Sequence, residues 1–200
     1  MMNTIRLNFA EFCERSDCNK TALDAVLSKV QNGAWIAGGA VRRTLIKHAL
    51  DSDFDFFFRD EAQLEDWERK LPATMNLIRE TEHHKHYRGT IEGSSLPIDV
   101  QAIRFRFYGT AEEVIDSFDY TITQFCLDGD DLVTTPTALW DLGRRKLAIH
   151  KVTYPVATLR RLLKYSQQGF TACAGCMAQL MRDTASSPAA MASLDLQYVD

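Results

Sequence analysis

A chain of 200 residues with 46% apolar side chains carries enough core material for one full domain, or one domain with a helical appendage, which argues against a disordered chain. Its 23 basic and 27 acidic residues leave a net charge of −4, which excludes a surface coated in positive charge for nucleic acid while leaving room for a local basic groove. Five cysteines, at positions 13, 18, 126, 173 and 176, form an odd and scattered set, and no secretory leader or long apolar span accompanies them. Reduced thiols in a cytoplasmic protein without a membrane segment are therefore expected.

Phe9, Phe12, Leu23, Val26, Leu27 and Val30 are spaced for two short amphipathic helices between residues 8 and 32, with Thr21 as a cap for the second and Asn32-Gly33 as its stop. The stretch that organises the chain comes next. Trp35-Ile36-Ala37 reads as a strand, Gly38-Gly39 as a turn, Ala40 to Arg43 as the start of a helix, and Asp53 to Phe58 as a second strand. The glycines allow a sharp turn and the close approach of a group such as a phosphate. Arg42 offers a guanidinium fork suited to phosphate oxygens. Asp53 and Asp55 stand two apart in an extended run, so they share one sheet face, roughly 6–7 Å apart along the strand. Phe54, Phe56 and Phe58 take the other face. Two like charges side by side are costly without a cation between them, so a divalent ion is expected there.

In this order and spacing, Gly38-Gly39-Ala40-Val41-Arg42, ten residues, then Asp53-Phe54-Asp55 resembles the head of the class II tRNA nucleotidyltransferases and bacterial poly(A) polymerases, in the DNA polymerase β superfamily. The resemblance implies an α+β fold: a polymerase-β-type head with a mixed sheet flanked by helices, followed by a short helical neck. It places the head in residues 1–150 and a neck segment with a C-terminal arm in 151–200. It implies Mg2+ as cofactor, with a two-metal site, and an NTP as substrate.

After the Asp53 strand, Asp60 to Leu71 reads as a helix with Leu64, Trp67 and Leu71 buried, ended by Pro72. Three extended segments follow, Met75–Thr81, Tyr87–Glu92 and Leu96–Ile103, the last two joined through Gly93-Ser94-Ser95. Asp99 in the third can lie beside Asp53 and Asp55, where it completes a metal cage or accepts the proton of an attacking hydroxyl. The superfamily has a third acid on such a strand. The run His83, His84, Lys85, His86 reads as a surface turn or substrate-rim cluster rather than a zinc site, with only His84 and His86 on one side.

A short helix is expected over Ala111–Ser117. Asp119-Tyr120-Thr121-Ile122 then matches the family's second motif, although Ser117 and Phe118 replace its arginine pair and Thr123 its asparagine. Ala138 to Leu142, followed by Arg144, Arg145 and Lys146, resembles the short helix and basic turn linking head to neck. From Pro155 a longer helix is expected, with Val156, Leu159, Leu162 and Leu163 as its apolar stripe and Gly169-Phe170 as its stop. Thr153, Tyr154 and Ala157 occupy the places of the base-reading glutamate, aspartate and arginine of CCA-adding enzymes, so selection of CTP and ATP in their manner is not expected. Arg160, Arg161 and Lys164 remain for a triphosphate or an acceptor backbone. Cys173 and Cys176 read as thiols on a second neck helix, followed by an arm from residue 185 on.

The resulting expectation is a metal-dependent nucleotidyltransferase. Asp53, Asp55 and Asp99 serve as catalytic and metal-binding acids, and Gly38, Gly39, Arg42, Asp119, Arg160 and Lys164 contact the nucleotide. An RNA 3′ end, resembling that of tRNA, is the first choice of acceptor, beside a protein or small-molecule hydroxyl, and an oligomer is compatible. The rival reading is a non-catalytic nucleotide-binding sensor or regulatory module on the same fold.

Overall fold

The computed structural model describes residues 2–50, 53–92 and 96–186. Among them, alternating apolar side chains build an eight-stranded mixed sheet from β1 (Ile5–Asn8), β2 (Trp35–Ala37), β3 (Phe54–Phe57), β4 (Asn76–Glu80), β5 (His84–Gly89), β6 (Ile98–Ile103), β7 (Phe125–Asp128) and β8 (Asp131–Thr134). The order across the sheet is β1-β8-β7-β2-β3-β6-β5-β4. Every neighbouring pair is antiparallel except β3 and β6. That parallel pair makes both strands start at the same edge of the sheet, which puts the two acid-bearing ends side by side.

Helices α1 (Phe9–Arg15), α2 (Thr21–Val30), α3 (Gly39–Leu45), α4 (Glu61–Arg69) and α5 (Ala111–Asp116) accompany the sheet. The fold is α+β, a large mixed sheet flanked by helices. Trp67 of α4 is fully buried, donates from its indole nitrogen to the Val30 carbonyl at 2.6 Å, and packs against Phe56, Phe58 and Tyr87 at ring separations of 5.3–6.0 Å. Asp60 caps α4, accepting from the Gln63 amide at 2.8 Å. Leu71 lies beyond the helix and is half-buried. Thr21 does not cap α2; the Asn19 side chain, two residues earlier, accepts from the Thr21 amide, one of the helix's free N–H groups, at 3.0 Å instead. Asn32 and Gly33 stop α2 with positive φ, as expected.

Three strands of this sheet lie outside the sequence expectation, as do the two strands of the smaller sheet described below. β1 and the β7–β8 hairpin extend the sheet on the side of β2 away from β3. The hairpin turns at Gly129, with φ +61°, between paired Asp128 and Asp131. β5 also starts at His84, three residues earlier than expected.

The chain divides into two compact units, one comprising Met1–Ser117 and Thr123–Pro136, the other Phe118–Ile122 and the residues from Thr137 onward. The second unit contains α6 (Pro136–Gly143) beyond its first residue, β9 (Lys146–Leu147), α7 (Pro155–Gln167), β10 (Thr171–Ala172) and α8 (Ala174–Ala185). β9 and β10 pair in parallel. α7 ends in a complete Schellman turn: the Gly169 and Phe170 amides donate to the Ser166 and Tyr165 carbonyls, both at 3.0 Å, with Gly169 at φ +86°.

The buried face of α7 differs from expectation. Pro155, Thr158 and Tyr165 are buried, while Leu159 and Leu163 are exposed. The reason is Tyr120, fully buried beside α7, whose hydroxyl donates to the Thr158 carbonyl at 3.0 Å and whose ring meets Tyr165 edge-on at 5.6 Å. A buried phenol needs an acceptor, and satisfying it turns the helix about its axis. The tight connection expected at Gly93-Ser94-Ser95 and the arm beyond residue 186 lie outside the described residues. No described helix is long and apolar enough to cross a membrane.

Candidate functional site

The strand register sets the glycine turn beside Asp55. Ala37, the last residue of β2, pairs with Asp55, and the glycine turn leaves the sheet one residue later. Gly38 adopts φ +80°, ψ −121°, a conformation suited to glycine alone, and its amide donates to the Phe125 carbonyl at 2.9 Å. Its own carbonyl accepts from the Arg42 amide at 3.0 Å, starting α3. Gly38 is buried and Gly39 half-buried.

Across the parallel pair, Phe54 aligns with Val100 and Asp55 with Gln101, so Asp53 and Asp99 precede aligned residues at the same sheet edge. β5 then runs antiparallel to β6, pairing His86 with Gln101 and Arg88 with Asp99. Side chains of paired residues share a face. One face thus carries Asp53, Asp55, Asp99, Gln101, His86 and Arg88, while Phe54, Phe56, Val100, Ala102 and Tyr87 take the other. Strand alternation also explains the solvent contrast: Asp53, Asp55, Asp99 and His86 are half-exposed, and all five opposing residues are buried.

Three potential ligands converge. Oxygen atoms of Asp53 and Asp99 and a ring nitrogen of His86 all lie within 4.8 Å of one another. His86 Nε2 is 2.9 Å from Asp99 Oδ1, the Gln101 amide nitrogen donates to Asp53 Oδ2, and Arg88 Nε stands 3.9 Å from Asp99 Oδ1. Opposite ligands of one small divalent ion are about 4 Å apart, so this donor set fits a cation with little adjustment. Asp55 shares the face but is not one of these three. His84, also on this face, has its imidazole held below the ordinary histidine range, first by burial and then by the charge of Arg79.

Arg42 is only 2% exposed, so its guanidinium is held inside the fold instead of standing out at the surface. Asp119, Arg160 and Lys164 belong to the second unit. There Asp119 is largely buried and accepts from Arg161 Nη1 at 2.7 Å, whereas Arg160 and Lys164 are exposed on α7. Neighbouring Thr121 donates to Asp141 Oδ2 at 2.7 Å. The second motif is thus a hydrogen-bonded element of its unit.

His86, Gln101 and Arg88 are the site residues that the sequence reading did not assign. The signal was present in the alternation of His84, His86 and Arg88 around inward-facing Tyr87, and it was obscured by starting the strand at Tyr87. His84, Lys85 and His86 of the histidine run begin a strand at the site, paired to β6 and, from Lys85 on, to β4, while His83 stands in the exposed bend before it.

The fold is similar to that of CCA-adding enzymes. The Thermotoga maritima CCA-adding enzyme complexed with tRNA superposes with a TM-score of 0.60 at 18% identity, covering 92% of this chain and 46% of that one. A CCA-adding enzyme in complex with ATP gives 0.62 at 17% identity, covering 92% and 46%. A tRNA-processing enzyme in its apo form gives 0.59 at 19% identity, covering 84% and 48%. At such identities the likeness establishes the fold. By sequence, the chain is 26% identical over 152 residues to Gabija anti-defense 2 of Bacillus phage SPbetaL7, covering 70% of this chain and 34% of that protein. The chain thus spans about half the length of the solved structures and about a third of the phage relative. A family profile described as Gabija anti-defense 2 family protein matches residues 4–145, and because that match takes in well over half of the 200 residues, the chain belongs to the Gabija anti-defense 2 family, Gad2.

Proposed function

We propose that this chain is a metal-dependent nucleotidyltransferase that moves a nucleoside monophosphate from an NTP to an acceptor hydroxyl, and that this transfer serves in countering the Gabija defence named by its family. The observation that carries the reading is the meeting of Asp53 and Asp99 at one sheet edge, on a nucleotidyltransferase fold, with the Gly38 turn leaving the strand beside Asp55. Asp53, Asp55 and Asp99 hold the cation. When bound, a divalent ion there neutralises triphosphate charge and favours ionisation of the attacking hydroxyl. Asp99 receives the acceptor proton, and the Gly38-Gly39 turn keeps the backbone low where the phosphates approach. The acceptor oxygen forms a bond to the α-phosphorus, the α–β phosphoanhydride bond breaks, and pyrophosphate leaves. Arg160 and Lys164 offer exposed cations for the nucleotide or for an acceptor backbone, with an RNA 3′ end as the first choice and a protein or small-molecule hydroxyl as the alternatives.

The second reading, a non-catalytic nucleotide sensor, is favoured by Ser117, Phe118 and Thr123 in the second motif and by Thr153, Tyr154 and Ala157 before and within α7. These side chains do not supply the charged groups with which catalytic relatives handle sugar and base. A transfer assay separates the two: Mg2+ or Mn2+, each α-labelled NTP in turn, and total RNA as acceptor, with Asp53→Ala and Asp55→Ala as controls. Label in RNA, or on protein, only with the unaltered chain supports transfer. NTP binding without label or pyrophosphate establishes the sensor and removes the enzyme.

A further inference from the structure

We propose that His86 is a direct metal ligand, and that it tunes the site toward a first-row transition cation in place of the magnesium expected from an all-carboxylate site. The inference rests on the reading that Asp53 and Asp99 hold a divalent ion, and it deepens that reading.

Geometry brings the imidazole there. β5 lies next to β6, and the His86–Gln101 pairing places the ring over the same face as both acids, with Nε2 2.9 Å from Asp99 Oδ1. The pair is sheltered, with side-chain exposures of 19% and 25%. On the far side, the Gln101 amide donates to one oxygen of Asp53, which holds that carboxylate in place while its second oxygen stays available. A cation entering between Asp53 and Asp99 meets the ring nitrogen as its third donor.

The chemistry of the donors decides the preference. Magnesium takes hard oxygen ligands and sheds water reluctantly, so an imidazole in its coordination sphere contributes little. First-row transition ions accept imidazole more readily than magnesium does, manganese the least of them, with affinities that rise along the series. Charge works in the same direction. Arg88 Nε lies 3.9 Å from Asp99 and offsets part of the negative field on which a hard ion depends, whereas bonding to a neutral nitrogen is less affected. A histidine that only positions Asp99 would produce no such preference.

The test uses the whole chain with Mn2+ and Mg2+ as probes, free Mn2+ being followed by electron paramagnetic resonance and Mg2+ by competition. The unaltered chain is expected to favour Mn2+ strongly, and its bound Mn2+ to show hyperfine coupling to an imidazole nitrogen. His86→Gln keeps a hydrogen-bond donor for Asp99 but replaces the ring nitrogen. It should lower the Mn2+/Mg2+ affinity ratio at least tenfold while changing Mg2+ affinity less than threefold, and the nitrogen coupling should vanish. An unchanged ratio, or bound Mn2+ without nitrogen coupling in the unaltered chain, overturns the role of His86 while leaving the carboxylate site standing. Undiminished binding of both ions in Asp53→Asn and Asp99→Asn overturns the metal site itself, and the role of His86 with it.

Discussion

The two faces of β3, β5 and β6 carry the same backbone and opposite chemistry. On one face Phe54, Phe56, Val100, Ala102 and Tyr87 are closed over by Trp67 and its neighbours. On the other, Asp53, Asp99, His86, Gln101 and Arg88 form a half-open cluster of charges and hydrogen bonds. Strand alternation lets one short segment contribute to stability with one set of alternate positions and to chemistry with the other, so that Phe54 and Asp55, adjacent in sequence, answer to different constraints. The closed face is tolerant of nothing that leaves a void. The open face keeps like charges together at a cost that a cation removes.

Substitutions on the two faces should therefore separate stability from binding. The largest expected effect is on the closed face. Trp67→Ala removes three ring contacts and the hydrogen bond to Val30, and should lower unfolding free energy by about 3–5 kcal/mol in a denaturant titration. A Trp67 variant of unchanged stability would mean that the two faces do not differ in the way described.

Tyr87 sharpens the comparison from the closed side, since its ring is buried while its hydroxyl donates to Glu68 Oε1. Burial first, and then Glu68, raises the phenol above its ordinary value near 10. The folded chain thus holds this proton more tightly than the unfolded chain. The contribution is fully present below about pH 10 and is lost as pH rises from there toward the folded value. Tyr87→Phe should cost about 1 kcal/mol at neutral pH and reduce the alkaline loss of stability, a loss that Tyr120, raised first by burial and then by Asp119, continues to share. A stability profile of the variant that falls as steeply above pH 10 as that of the unaltered chain would remove Tyr87 from this account.

The smallest change in stability is expected on the open face. Asp53→Asn keeps the shape of the side chain, relieves like-charge repulsion, and should move the melting free energy by no more than about 0.5 kcal/mol. Divalent-ion binding, measured on the same sample by calorimetry, should be lost. If the variant instead unfolds easily, the open face contributes to the core after all, and the separation of roles fails.

Part of this molecule was legible from residues alone because the signals were local. Gly38-Gly39 between an apolar run and Asp53-Phe54-Asp55 declares a strand, a turn that needs positive φ, a helix and a second strand. Each is fixed by the chain's own steric and alternation rules. Pro155 and Gly169-Phe170 likewise bracket α7 through the fixed φ of proline and the Schellman turn. Asp128-Gly129-Asp130-Asp131 between apolar runs is an equally local hairpin signal.

The remainder depended on neighbours distant in sequence. Which face of α7 is buried was settled by the hydroxyl of Tyr120, 38 positions away from the carbonyl it reaches. The burial of Arg42 followed from the packing around α3 and not from its basic character. Sequence by itself determined which residues carry charge, turn and alternation, because those properties belong to single side chains and adjacent bonds. Only the tertiary structure decided that β6 runs parallel to β3 and that β5 lies beside it. Strand order is set by the competition of whole apolar faces for burial, and it alone turned His86 from one histidine in a polar run into the third member of the Asp53–Asp99 cluster.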